Sequence, residues 1–352
     1  MSNSSIDNSH KPDALWYTRC ALPTPLSLAI QSGWIQDEFA PDGIPIQSLR
    51  ESASPADFQS HFDHHLPHSF RQGGSVPAIW ARASGQQTGV IGLTWTDEYQ
   101  SIISLPNSKF RSIKDLKGCR IGIPKHAVSI DHQRASALRA FVVALDTVGL
   151  SLKDVEVVDL LDTPIEANPA TGGPDWGQGR HSYVNELYAL VKHQVDAIYV
   201  KDVRGAQVTH LLGAQVVFDL GFHPDSFIRI SNCTPRPLTV NADTIEQYPH
   251  IVSRFLRRVV NAGDWAKKHP QETLQLIAKE TGWAEPWVQK VYGANVHQQL
   301  RLDLSEHAIR SLEILKNFLF EHGFLKQDFN IMDWVDHAPL DTLKAPVLSL
   351  HR

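Results

Sequence analysis

Along the first two thirds of the chain, short apolar runs bounded by turn residues alternate with stretches in which apolar positions recur every three or four residues. Runs at 14–20, 88–94, 100–104, 120–123, 155–160, 197–199 and 215–219 read as strands. The periodic stretches at 135–147, 182–193 and 204–212 read as helices. Thr24-Pro25 supplies an N-cap and a first helical position after the first strand, and Gly33 closes the helix it opens. Strands alternating with helices predict mostly parallel sheets in an α/β fold.

After about residue 240 the pattern turns helical, with segments at 242–246, 249–269, 270–281, 284–292 and 305–322. Gly33, Gly149, Gly282 and Gly323 each follow an apolar-periodic stretch, where a left-handed residue ends a helix. Residues 163–178 are rich in Gly and Pro without periodicity and read as a long surface loop. Residues 1–13 read as a disordered tail.

A chain of 352 residues has room for about two compact units. With 33 Lys+Arg against 38 Asp+Glu, the net charge is −5, and no basic run exceeds two residues, so nucleic acid is not an expected partner. The longest apolar runs, such as 141–145, fall far short of the ~20 residues that cross a bilayer. The first fifteen residues hold neither a basic nor an apolar signal region, which predicts a cytoplasmic protein. Three cysteines at wide spacing, Cys20, Cys119 and Cys233, fit neither a disulfide framework nor a zinc ribbon.

Cys20 ends a predicted strand just before a helix, where open α/β sheets place their ligand crevice. Two readings stand at that position: an inert cysteine packed in the core, or a nucleophile. Cys119 and Cys233 carry no acid or base patterned around them and read as structural. His61, His64, His65 and His68 would share one face of a helix as metal ligands, but Pro67 interrupts that helix, so no metal is expected and the segment reads as a solvated loop. Arg71 followed by Gly73-Gly74 offers a guanidinium fork beside approachable backbone N–H groups, with a helix opening near Pro77. That is the pattern of an oxyanion site; the plainer reading is a glycine turn with a surface arginine.

The run FRSIKDLKGCRIGIP at 110–124 resembles the segment entering the second lobe of type II periplasmic-binding-protein folds. Within that group the chain resembles the 2′-hydroxybiphenyl-2-sulfinate desulfinases, cytoplasmic hydrolases of aryl sulfinates. Tyr17-Thr18-Arg19-Cys20 with Pro23, the pair His61-Phe62, and Arg71 ten residues later with Gly73-Gly74 and Pro77 carry the resemblance jointly. Further similarity runs through 195–199, 217–221 and 262–266, while 125–185 lacks clear counterparts to the aromatic residues of a biphenyl pocket.

The resemblance implies an α/β, two-lobed type II periplasmic-binding-protein-like fold with a cleft between the lobes. Lobe 1 would comprise 14–108 with 232–352, and lobe 2 residues 109–231. It implies cleavage of an aryl C–S bond by water to arene and sulfite, without metal or organic cofactor, in a protein expected to be monomeric. Cys20, His61 and Arg71 would be catalytic, with Gly73, Gly74, Tyr17 and Phe62 at the substrate. Cys20 would attack sulfur as a thiolate or protonate the ring carbon as a thiol; His61 would tune or re-protonate it, and Arg71 on a mobile loop would close over the anion. Two other readings accompany it: a non-catalytic binding protein for a sulfonate or similar anion, and a cofactor-precursor synthase of the thiamine type that uses the histidines of 61–68.

Overall fold

A computed structural model describes residues 11–52, 54–161 and 183–344. Among the described residues, ten strands form two sheets. β1 (Leu15–Arg19), β2 (Ile46–Ser48), β3 (Ser69–Gln72), β4 (Thr88–Thr94) and β10 (Arg236–Asn241) make the first, in the order β2-β1-β3-β10-β4. β5 (Gln100–Ser104), β6 (Arg120–Lys125), β7 (Glu156–Leu161), β8 (Ala197–Lys201) and β9 (Gln215–Asp219) make the second, in the order β7-β6-β8-β5-β9.

Each sheet keeps a parallel set and admits one strand running the other way. β1 is parallel to β2 and β3, while β10 is antiparallel to β3 and β4. β6 is parallel to β7 and β8, while β5 is antiparallel to β8 and β9. Two crossings, 95–99 and 220–235, carry the chain between the sheets. β5 falls within the segment expected in lobe 1, yet it pairs in the second sheet, between β8 and β9.

Helices cover the sheets as the periodicity predicts. The helix Pro249–Lys268 lays Ile251, Val252, Phe255, Leu256, Val259 and Ala262 into the first core, and Phe255 stacks on Phe70 of β3 with ring centroids 3.7 Å apart. Burying one such aromatic side chain contributes roughly 1.5–3 kcal/mol. Gly263 lets this helix pass close to the backbone at Leu300, where a Cβ would stand 2.1 Å from the carbonyl oxygen. Gly33, Gly149, Gly282 and Gly323 all take positive φ, as expected of residues that end helices.

Three strands and one helix lie outside the hydrophobic pattern. β2 is only three residues long, β10 begins with Arg-Pro, and β3 (SFRQ) is buried throughout although half of it is strongly polar. The helix Pro55–Asp63 opens at Ser54, whose side chain accepts from the Asp57 N–H, and closes at His64 with φ 58°. The expected loop 163–178 and residues 1–10 of the expected tail lie outside the described residues. Lys11, within the expected tail, donates from Nζ to the Asp42 carbonyl at 2.6 Å. Among the described residues, no helix is long and apolar enough to cross a membrane.

Candidate active site

A cavity of about 200 Å³ opens between the two sheets, with Cys20, His61, Arg71 and Gly74 on one side and Lys201 and Asp202 on the other. Cys20 follows the last residue of β1, so Thr18 and Cys20 leave the same face of the sheet. Its backbone N–H donates to the Gln72 carbonyl at 3.3 Å, which fixes its position beside β3. His61 sits in the last turn of the helix Pro55–Asp63 and spans both side chains. Cys20 Sγ lies 3.5 Å from His61 Nε2, and Thr18 Oγ1 lies 2.7 Å from His61 Nδ1.

Arg71 corrects an expectation. Rather than riding a mobile loop, it is the third residue of β3 and only 1% exposed. Its Nε donates to the His61 carbonyl at 2.7 Å and its Nη2 to the Gly74 carbonyl at 3.0 Å, so the guanidinium ties the histidine helix to the glycine turn. Nη1 is buried without a protein partner. A buried cationic donor left unsatisfied by the protein suits an anion in the adjoining cavity. His61 Nε2 and Cys20 Sγ are in contact in this structure, on a helix and a strand end rather than on a loop.

The two glycines have distinct steric reasons. A Cβ on Gly73 would stand 2.6 Å from Cys20 Sγ, and one on Gly74 would stand 2.6 Å from the Asn232 side-chain amide. Neither glycine N–H finds a backbone acceptor among the described residues. The opening amides of the helix Ser75–Ala83 are taken up by Asn232, whose carbonyl accepts from Ser75 N–H at 2.6 Å and whose Oδ1 accepts from Val76 N–H at 2.9 Å. The donors left for an anion are therefore Arg71 Nη1 and the N–H of Gly74 rather than that helix's first turn, while Gly73, expected at the substrate, does not line the cavity. The Val76 bond also fixes the Asn232 amide so that its NH2 end is left over as a donor.

Electrostatics keep the histidine neutral. Burial, then the positive charge of Arg71 and Arg50 and the neighbouring His132 and His64, hold the His61 pKa well below its usual value. Burial and Arg71 push His64 down to about 4. Burial also lowers the Arg71 pKa, against the pull of Cys20 and Cys233, but a guanidinium so basic stays charged. Phe58 stacks on the His61 ring at 6.1 Å between centroids and Phe62 meets it edge-on at 5.1 Å. Phe58 and Phe62 both line the cavity, which gives an aryl ring an apolar wall.

Other expectations end differently. Tyr17, expected at the substrate, is 5% exposed in the first core and does not line the cavity, because the period of two along β1 turns it away from Thr18 and Cys20. The histidine segment is not uniformly solvated: His64 is 2% exposed, His68 Nδ1 lies 3.0 Å from Thr244 Oγ1, and His65 pairs with Asp63 at 2.6 Å. Among the described residues, no three His, Cys, Asp or Glu side chains gather as metal ligands.

Sequence reasoning missed Thr18, Asn232 and a buried ionic cluster. Lys201 Nζ lies 3.2 Å from Cys233 Sγ and 3.5 Å from Glu98, which Arg236 meets at 3.2 Å. Thr18 was within reach of the period-two rule once Cys20 was singled out, and Lys201 ends β8, where α/β sheets open their crevice.

No protein-family model matches the chain. Over 94% of its length it is 26% identical to 2′-hydroxybiphenyl-2-sulfinate desulfinase of Rhodococcus erythropolis, covering 93% of that protein. The chain resembles this desulfinase. The crystal structure of desulfurization enzyme DszB superposes with a TM-score of 0.71 at 25% identity, covering 94% of this chain and 98% of that one. A cysteine-to-serine mutant of DszB in complex with biphenyl-2-sulfinic acid gives 0.74 at 24% identity over the same shares. The periplasmic aliphatic sulphonate binding protein SsuA from Escherichia coli gives 0.65 at 15% identity, covering 93% of each chain. The fold of the desulfinase and of the sulfonate binder is thus the fold of this chain, two lobes with a cleft between them.

Proposed function

We propose that the protein is a desulfinase that cleaves the C–S bond of an aryl sulfinate with water. One sulfinate and one water give one arene and one hydrogen sulfite. The observation that carries this reading is the 3.5 Å contact between Cys20 Sγ and His61 Nε2 in the wall of the cleft, beside a buried arginine with a free Nη1. A pure anion trap has no need of a thiol and a neutral imidazole in contact.

In this reading Arg71 Nη1 and the N–H of Gly74 hold the sulfinate oxygens and orient the sulfur toward residue 20. Cys20 either attacks the sulfur as a thiolate, forming an S–S bond as the C–S bond breaks and the ring carbon takes the proton held on His61, after which water cleaves the S–S bond to thiol and hydrogen sulfite; or it gives its thiol proton to the ring carbon as sulfur dioxide leaves, and water converts that to hydrogen sulfite and returns a proton to Cys20. In both routes His61 Nε2 holds or returns the proton exchanged with Cys20. Phe58 and Phe62 flank the ring.

The likeness to a sulfonate-binding fold favours a second reading, capture of an anion without chemistry. Incubation with biphenyl-2-sulfinate and smaller aryl sulfinates, assaying arene and sulfite together, separates the two. Catalytic release in equal amounts is expected. Saturable binding of sulfinates or alkanesulfonates with no release of sulfite would establish the binder instead.

A further inference from the structure

We infer that Thr18 is the positioning residue of His61: its hydroxyl selects the imidazole tautomer and so decides which nitrogen presents a lone pair to Cys20. The activity arm of this inference rests on the desulfinase reading; the thiol arm does not. Thr18 precedes Cys20 by one strand repeat, its side chain leaves the same face of β1, and it is 1% exposed. The His61 ring bridges the two, with Nδ1 2.7 Å from Thr18 Oγ1 and Nε2 3.5 Å from Cys20 Sγ.

A neutral imidazole carries one N–H, and its position is set by the hydrogen bond the other nitrogen makes. A hydroxyl can donate or accept. With Cys20 as a thiol, Nδ1–H donates to Thr18 Oγ1 and the bare Nε2 faces the S–H. When Nε2 takes that proton, Nδ1–H keeps the same acceptor, so the ring need not turn or lose a bond during the transfer. The charged and titratable groups acting on this ring are Arg71 on β3, Arg50 after β2, His132 at the start of the helix His132–Asp146, and His64 on the turn that follows His61, together with Cys20. Asp57, one turn earlier on the histidine's own helix, is bonded to Ser52. The Nδ1 partner is thus an alcohol and not a carboxylate, which orients the ring without holding it as an imidazolium.

The test compares Thr18→Val, which keeps shape and loses the hydroxyl, with Thr18→Ser, which keeps the hydroxyl. In a background with both Cys119→Ser and Cys233→Ser, since Cys233 lines the same cavity, iodoacetamide reports Cys20 alone, and its alkylation rate is followed against pH. Valine leaves the Nδ1–H of an imidazolium without an acceptor, so the thiolate–imidazolium form becomes rarer. The alkylation midpoint should rise and kcat for sulfite release should fall about 10-fold or more with KM nearly unchanged. Serine should restore both. A wild-type alkylation profile in Thr18→Val overturns the inference, as does Thr18→Ser behaving like valine. Should the valine protein not fold, nitrogen NMR of His61 in the wild-type protein decides: Nδ1 protonated supports the inference, Nε2 protonated overturns it. A wild-type protein that releases no sulfite from any aryl sulfinate overturns the desulfinase reading alone, and the alkylation and NMR results still judge Thr18.

Discussion

Alanine at position 73 isolates the contact between the glycine turn and the thiol. The added Cβ would stand 2.6 Å from Cys20 Sγ, roughly 1 Å inside ordinary van der Waals contact. Its next neighbours, Cys20 Cβ at 3.6 Å and Arg71 Nη2 at 3.7 Å, are at normal distance. Gly73 does not occupy the left-handed region, so alanine adds no backbone strain. The whole penalty therefore falls on one sulfur atom, which must turn away and abandon its 3.5 Å contact with His61. Overpacking of this kind costs about 1–3 kcal/mol of stability, and displacing a reacting atom by 1 Å costs about 100-fold in rate. Urea unfolding of wild type, Gly73→Ala, Cys20→Ala and the double variant closes a thermodynamic cycle. Gly73→Ala should be destabilising in the wild-type background. In the Cys20→Ala background it should be neutral or slightly stabilising, since alanine restricts the unfolded chain and the sulfur is gone. Equal destabilisation in both backgrounds, or full sulfite release by Gly73→Ala, would refute the placement of the thiol against the glycine.

Arg71→Lys should lose at least one of the bonds to the His61 and Gly74 carbonyls, lower stability by about 2 kcal/mol, and weaken anion binding, checked by thermal unfolding and titration with an aryl sulfinate; an unchanged melting temperature would contradict its burial in β3. His64 is neutral in the fold with a pKa of about 4, whereas the unfolded chain takes up a proton near pH 6.5. Its contribution is therefore present in full above pH 6.5 and is lost as pH falls toward 4, about 3 kcal/mol in all, with His61 acting in the same sense. His64→Gln should flatten the urea midpoint between pH 6.5 and 4, and an unchanged slope would show that His64 is not the group responsible.

Elements whose burial is hydrophobic were legible in the sequence, and those buried by polar pairing were not. β4 and β8 announce themselves by apolar runs, and the long helix Pro249–Lys268 by its period. β3 is invisible to the same rule because Arg71 and Gln72 are buried through hydrogen bonds to the His61 carbonyl, the Leu26 N–H and Thr94 rather than through apolar area. That is also why Arg71 reads as a loop residue in one dimension and stands in a strand in three. The helix that delivers His61 hides behind Pro67, which lies just beyond its end at His64. Cys20 was nameable from its place at a strand end and Arg71 with the glycines from their pattern, whereas His61 entered as a catalytic residue only through the family resemblance. Asn232 and Lys201 reach the cleft, and Glu98 reaches Lys201 behind it, only through the folding of distant strands and crossings, which no local pattern encodes.

The proposed desulfinase stands or falls on Cys20, so the decisive measurement is sulfite release by wild type and by Cys20→Ser at matched occupancy with the same aryl sulfinate. Occupancy is fixed beforehand by calorimetric titration of both proteins. Serine keeps the size of the side chain but is a far weaker acid and nucleophile near neutral pH. The account predicts catalytic sulfite from wild type and none above background from Cys20→Ser, with both proteins binding the sulfinate through Arg71. Equal turnover by the two proteins, or binding without sulfite from either, would contradict it.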